Sequence, residues 1–121
     1  MDKKPLILSY AGCGTCKKAL AWLKAHKVEV TVRPIVEEPP TEAELAAWIP
    51  KSGKPVKKWL NTSGQSYRAL GKEAVDALSD QALVEKLSQD GKLVKRPVLL
   101  AKGKVLVGFD EASYAALFGT K

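Results

Sequence analysis

Cysteine and histidine are scarce in this chain: 121 residues carry two of the first and one of the second. With His26 alone there is no cluster at metal-ligand spacing and no Ser/His/Asp set. No glycine-rich nucleotide loop is present either. No apolar run approaches the ~20 residues that span a bilayer. The opening Met1-Asp2-Lys3-Lys4-Pro5 leads into an apolar stretch too short for a signal-peptide core. These absences point to a cytoplasmic protein with no bound metal and no membrane segment. Internal repeats and low-complexity segments are also missing. The two cysteines lie too close together to staple a fold.

What is present is an ordinary globular balance, 45% hydrophobic and 27% charged, with a net charge of +7 and a pI near 9.5. The length suits one domain, 1–121, with one core. A basic balance can serve nucleic acid, membrane surfaces or anionic ligands. The lysines are dispersed, however, and the densest group (Lys51, Lys54, Lys57, Lys58) lacks aromatic interleaving beyond Trp59. Solvated helix faces explain them, and no direct nucleic-acid contact is expected.

Leu6, Ile7 and Leu8 predict a buried strand, and Thr15 to Lys27 an amphipathic helix. Val28 to Val32 alternates as a half-buried strand, which Arg33-Pro34 breaks. Thr41 and Glu44 form a capping box for a helix carrying Leu45, Trp48 and Ile49, stopped by Pro50. Ser52 to Pro55 is a turn. Short helices are expected over Val56 to Leu60, Ser66 to Leu70 and Ser79 to Ser88, with Ser79 as N-cap and Gly91 past the last C-terminus. Val98 to Ala101, Lys102-Gly103 and Val105 to Val107 predict a hairpin. Asp110 caps a final helix through Leu117.

The order β-α-β, helices, β-β-α is an α/β, thioredoxin-like plan. Its halves fall at about 1–35 and 94–121, with an all-helical insertion at about 36–93. That plan requires a proline, usually cis, before the third strand and facing the turn after the first. Arg96-Pro97-Val98 supplies it, and a trans proline starting an edge strand is the alternative.

Cys13-Gly14-Thr15-Cys16 sits between the first strand and the first helix. A helix N-terminus favours a thiolate over a thiol, and its unpaired amides, those of Gly14, Thr15 and Cys16, suit an anion. Cys16, Leu20 and Leu23 recur at i, i+4 and i+7, so Cys16 leans toward the core and Cys13 stays at the mouth. Cys13 is then the attacking thiol, and Cys16 either the resolving thiol or a small buried hydrophobe. Lys17 either lowers the Cys13 pKa or is solvated. Thr15 either donates to the thiolate or caps the helix. His26 suits the helix C-terminus, and Trp22, Trp48 and Trp59 suit packing.

Cys13-Gly14-Thr15-Cys16-Lys17-Lys18-Ala19 with Trp22-Leu23, Asn61-Thr62-Ser63-Gly64 with Tyr67-Arg68, Lys95-Arg96-Pro97-Val98, Val107-Gly108-Phe109 and Tyr114 together resemble the arsenate reductase/Spx family. The likeness covers nearly the whole chain and is greatest to the uncharacterised arsenate reductase-related branch. It implies a thiol oxidoreductase in which Cys13 attacks an oxyanion or disulfide and Cys16 or an external thiol resolves it. Glutathione, glutaredoxin or thioredoxin would donate electrons. It further implies that Arg68 and Arg96 hold the oxyanion, with Pro97 beside them. Reductases of the family carry another arginine on the terminal hairpin, where Val105 to Phe109 has none, and a serine where this chain has Cys16. In the Spx regulators the cysteine pair is a redox switch, and the partner is the C-terminal domain of the RNA polymerase α-subunit. Gly53 falls near that family's partner-contact glycine, although an ordinary turn accounts for it equally.

Overall fold

The computed structural model describes residues 4–119. Four strands form one sheet in the order β2-β1-β3-β4: β1 Leu6–Ser9, β2 Thr31–Pro34, β3 Val98–Ala101 and β4 Lys104–Val107. β1 runs parallel to β2 and antiparallel to β3, and β3 runs antiparallel to β4. This is the thioredoxin-like arrangement. The chain divides into two compact units, Met1–Pro34 with Arg96–Lys121, and Ile35–Lys95. Among the described residues no helix is long and apolar enough to cross a membrane.

In the first unit, α1 (Gly14–Ala25) buries Cys16, Ala19, Trp22 and Leu23. Ala19 takes the fully buried place that the sequence assigns to Leu20, which is only partly covered. The helix stops two residues short of Lys27, because Lys27 adopts φ 59°. Its amide bonds the Lys24 carbonyl, and the Val28 amide bonds that of Leu23, closing a Schellman end with lysine where glycine is usual. β3 and β4 are joined by Lys102 (φ 53°) and Gly103 (φ 76°), the paired positive values that a tight hairpin turn of matching twist requires. The Arg96-Pro97 peptide is cis.

β2 departs from the expected strand. It begins at Thr31 and includes Pro34, and Val32 is 51% exposed. As a sheet edge it pairs only with β1, so a proline costs no ladder bond there and one face stays wet. Val28 and Val30 instead pack on the core from the loop before it.

That core joins Ile7, Ala19, Trp22, Leu23, Leu99 and Tyr114. Tyr114 lies on α6 (Glu111–Phe118) and meets Trp22 and Phe109 edge-on, at centroid distances of 5.6 and 4.8 Å. Its buried hydroxyl has no hydrogen-bond partner among the described residues, and burial pushes its pKa up. An unpaired buried hydroxyl costs about 1–3 kcal/mol. Tyr114→Phe is therefore expected to raise stability by about 1 kcal/mol in urea unfolding. Asp110 holds the N-cap place of α6, but its carboxylate accepts from the Ser113 hydroxyl at 2.6 Å rather than from a first-turn amide.

In the second unit, α2 (Glu42–Ser52) starts with the expected Thr41/Glu44 capping box. It runs through Pro50 to end at Gly53, which adopts φ 70°. Proline this near a C-terminus forfeits one helical bond, and the left-handed glycine makes the actual stop. α3 (Gln65–Leu70) is followed by α4 (Lys72–Asp76), a short helix that the sequence pattern does not predict, and by α5 (Asp80–Gln89), whose cap is Ser79. Val56–Trp59 and Gly91–Leu93 are 3₁₀ turns. Trp59 is fully buried and donates its indole N–H to Ser52 Oγ at 3.1 Å. Gly91 falls just past α5, whose C-cap is Asp90, as the sequence suggests, but it does not adopt the positive φ of a left-handed glycine stop. A Cβ at Gly91 would overlap the Ile35 backbone, so glycine is there for close approach.

Candidate functional site

β1 ends at Ser9, and four residues later Cys13 occupies the N-cap of α1 with extended backbone, φ −96° and ψ 120°. The Cys13 amide donates to the Tyr10 carbonyl at 3.0 Å. Its carbonyl accepts the first helical bond, from Lys17 N at 3.1 Å. The amides of Gly14, Thr15 and Cys16 thus precede the helical ladder, and that of Cys16 hydrogen-bonds the Cys13 sulfur. No side chain caps this end. Thr15 is exposed and takes no cap, and a Cβ on Gly14 would meet nothing within 4 Å.

The two thiols, both free, occupy opposite environments. Cys13 is partly exposed, whereas Cys16 is 1% exposed. Partial burial alone would raise the Cys13 pKa. Hydrogen bonds from the Cys16 amide and thiol, and then the Arg96 guanidinium, outweigh it and hold Cys13 below the usual thiol range. Cys16 is pushed up, first by burial and then by its neighbour Cys13. The Tyr10 amide, 3.4 Å from Cys16 Sγ, and the Ser9 hydroxyl offset this only in part.

The cation acting on Cys13 is therefore Arg96, at the cis peptide that leads into β3, and not the exposed helix-face Lys17. Arg96 also lies over the Tyr10 ring, 4.8 Å from its centroid. Cys13, Cys16, Arg96 and Pro97 all belong to the first unit; Arg68 is exposed on α3 in the second, and its part in oxyanion binding rests on the resemblance alone. Ser9 and Tyr10 are contributors that the motif does not include. An aromatic residue directly before the turn, followed by the small pair Ala11-Gly12, is the one sequence signal for Tyr10.

His26 closes α1 as a C-cap, with its Nδ1 2.8 Å from the Trp22 carbonyl and its ring stacked on Trp22 at 3.9 Å. Among the described residues no group of three metal-ligating side chains occurs.

Removing the Arg96 charge removes one of the causes that favour the thiolate. Arg96→Met is expected to move the pH–rate curve of Cys13 alkylation to higher pH, slowing the reaction at every pH below the plateau. A curve left in place would show that the Cys16 amide and thiol act without help from Arg96.

A thioredoxin-like sheet, a cis-proline before β3 and paired cysteines at the first helix define a class of proteins with a thiol site at that helix. Sequence comparison narrows it further: the profile of the ArsC family matches residues 8–117, and the chain belongs to that family. Uncharacterized protein YusI of Bacillus subtilis is 44% identical over 106 residues, 87% of this chain and 90% of its own length. The global transcriptional regulator Spx of Streptococcus agalactiae is 30% identical over 82% of this chain and 72% of its own length. The crystal structure of an ArsC family related protein from Bacteroides fragilis superposes with a TM-score of 0.91 at 42% identity, covering 97% of this chain and 99% of that one.

Proposed function

We propose that the chain is a cytoplasmic thiol oxidoreductase in which Cys13 attacks an oxyanion or a disulfide. The observation that carries this reading is the split between the cysteines, one accessible and held toward thiolate, the other buried and held as thiol. A thiolate is the nucleophile in such chemistry, and a thiol held back until needed is a resolving group.

With a disulfide, the Cys13 thiolate forms a bond to one sulfur and the other half leaves as a thiolate. Cys13 then carries no charge, and the repulsion that raised Cys16 is gone. Cys16 releases its proton to water and attacks the Cys13 sulfur, expelling the second thiolate. The substrate gains two electrons and the cysteines become a disulfide, which glutathione, glutaredoxin or thioredoxin reduces. With arsenate, the Cys13 sulfur bonds to arsenic and one oxygen leaves as water after protonation. A second thiol then attacks the Cys13 sulfur, and the sulfur–arsenic electron pair passes to arsenic, giving arsenite. Arg96 and the amides of Gly14 and Thr15 hold the oxygens.

Intact mass spectrometry tests the order of events. Incubated with glutathione disulfide, Cys16→Ser is expected to stop with one glutathione on Cys13, while the wild type proceeds to the internal disulfide. A stable adduct of equal amount in both proteins would remove Cys16 from the resolving role.

The relationship to Spx supports a second reading, a redox-sensing regulator that docks on the C-terminal domain of the RNA polymerase α-subunit. Absence of micromolar binding to that domain in both redox states would dismiss it.

A further inference from the structure

Tyr10 stands immediately before the cysteine turn and touches each of its working parts. Its amide reaches Cys16 Sγ at 3.4 Å, and its carbonyl accepts the Cys13 amide at 3.0 Å. Its ring lies under Arg96, whose Cζ is 4.8 Å from the centroid. Gly12 leaves space for this ring: a Cβ there would come within 3.0 Å of Tyr10 Cε2 and 3.4 Å of Cζ. A guanidinium on an aromatic face is held by the negative potential of the ring, and its planar shape stacks there better than an ammonium would.

We propose that Tyr10 is a positioning residue whose ring fixes the Arg96 guanidinium against the Cys13 sulfur. The proposal rests on the reading of Cys13 as an activated thiol. Arg96 is a long side chain on the loop before β3, and the ring is one contact that narrows the rotamers open to it. With that contact, the side chain is bound at one face while its charge and N–H groups serve the thiolate. Arg96 thereby acts in a fixed geometry, which a surface arginine lacks.

The test is the pH–rate profile of Cys13 alkylation in full-length protein, followed by mass spectrometry. Tyr10→Leu is expected to slow alkylation below the plateau by roughly threefold or more. Tyr10→Phe keeps the ring and is expected to match the wild type. Replacing Tyr10 with phenylalanines of increasing fluorination drains the ring's negative face at nearly constant shape, and the slowing should grow with each fluorine. In an Arg96→Met background Tyr10→Leu should add no further slowing. An unchanged profile in Tyr10→Leu, an equal loss in Tyr10→Phe, or the same slowing in the Arg96→Met background would overturn the proposal. A wild-type Cys13 that alkylates as an ordinary thiol would instead defeat the underlying reading.

Discussion

Cys13→Ser is expected to lower thiol-coupled turnover of glutathione disulfide or arsenate by about 10³-fold or more, as loss of a covalent nucleophile does elsewhere. A serine hydroxyl in the same place stays protonated across the neutral range, so the amides and Arg96 that favour a thiolate have no anion to act on. The fold should hold, since Cys13 is only partly covered and its N-cap role uses backbone, which serine shares. Cys16→Ser should cost far less with excess glutathione, because an external thiol can attack the Cys13 sulfur in place of Cys16. Equal turnover by wild type and Cys13→Ser would end the enzymatic reading. Equal loss in both variants would mean that Cys16 is required throughout.

The largest expected effect on stability lies in the other unit. Gly91→Ala should lose about 3 kcal/mol or more, at or beyond the upper end of ordinary overpacking. The atoms a Cβ would strike are the Ile35 carbonyl oxygen and carbon and the Val36 Cα. All are backbone, so no rotamer change relieves them. The turn that begins at Gly91 is held on both sides: Asp90 accepts from Lys92 N at 2.9 Å, and the Leu93 carbonyl accepts from Asn61 N at 2.8 Å. Displacing Gly91 therefore strains both bonds. Urea unfolding should show a lower midpoint at an unchanged slope. Gly14→Ala is the control, since its Cβ meets nothing within 4 Å, and it should be neutral or slightly stabilising.

How much of the fold is legible in the sequence follows from which interactions are local. The Thr41/Glu44 box, the Ser79 cap and the Lys102-Gly103 turn are short-range devices, written in neighbouring residues and present as expected. The burial of Cys16 follows from helical spacing, although Ala19 and not Leu20 completes that face. Sequence and structure part where tertiary position decides. Val28 to Val32 alternates like a half-buried strand, yet the edge place of β2 leaves Val32 in water. Pro50 reads as a stop, but a proline in the last turn is tolerated when a left-handed glycine follows three residues later. Gly91 reads as a helix end, and its reason is a carbonyl more than fifty residues away in the chain.

The site divides in the same way. The cysteine pair and the anion-facing amides are sequence-local. Arg96 enters through the pairing of β3 with β1, and only the resemblance points to it. Ser9 carries no sequence signal and Tyr10 only that of an aromatic before Ala11-Gly12, because each acts on Cys16 through a bond that depends on how the turn closes. His26 serves the helix end and the Trp22 ring, which matches its isolation in sequence.

The turn holds Cys13 toward thiolate and Cys16 toward thiol, and every functional step above depends on that split. Alkylation rates of the two cysteines, measured separately against pH by peptide mass spectrometry, test it most directly. Cys13 is expected to react first, with an inflection clearly below that of an ordinary thiol, while Cys16 stays protected until higher pH. An ordinary inflection at Cys13, or faster reaction at Cys16, would contradict it.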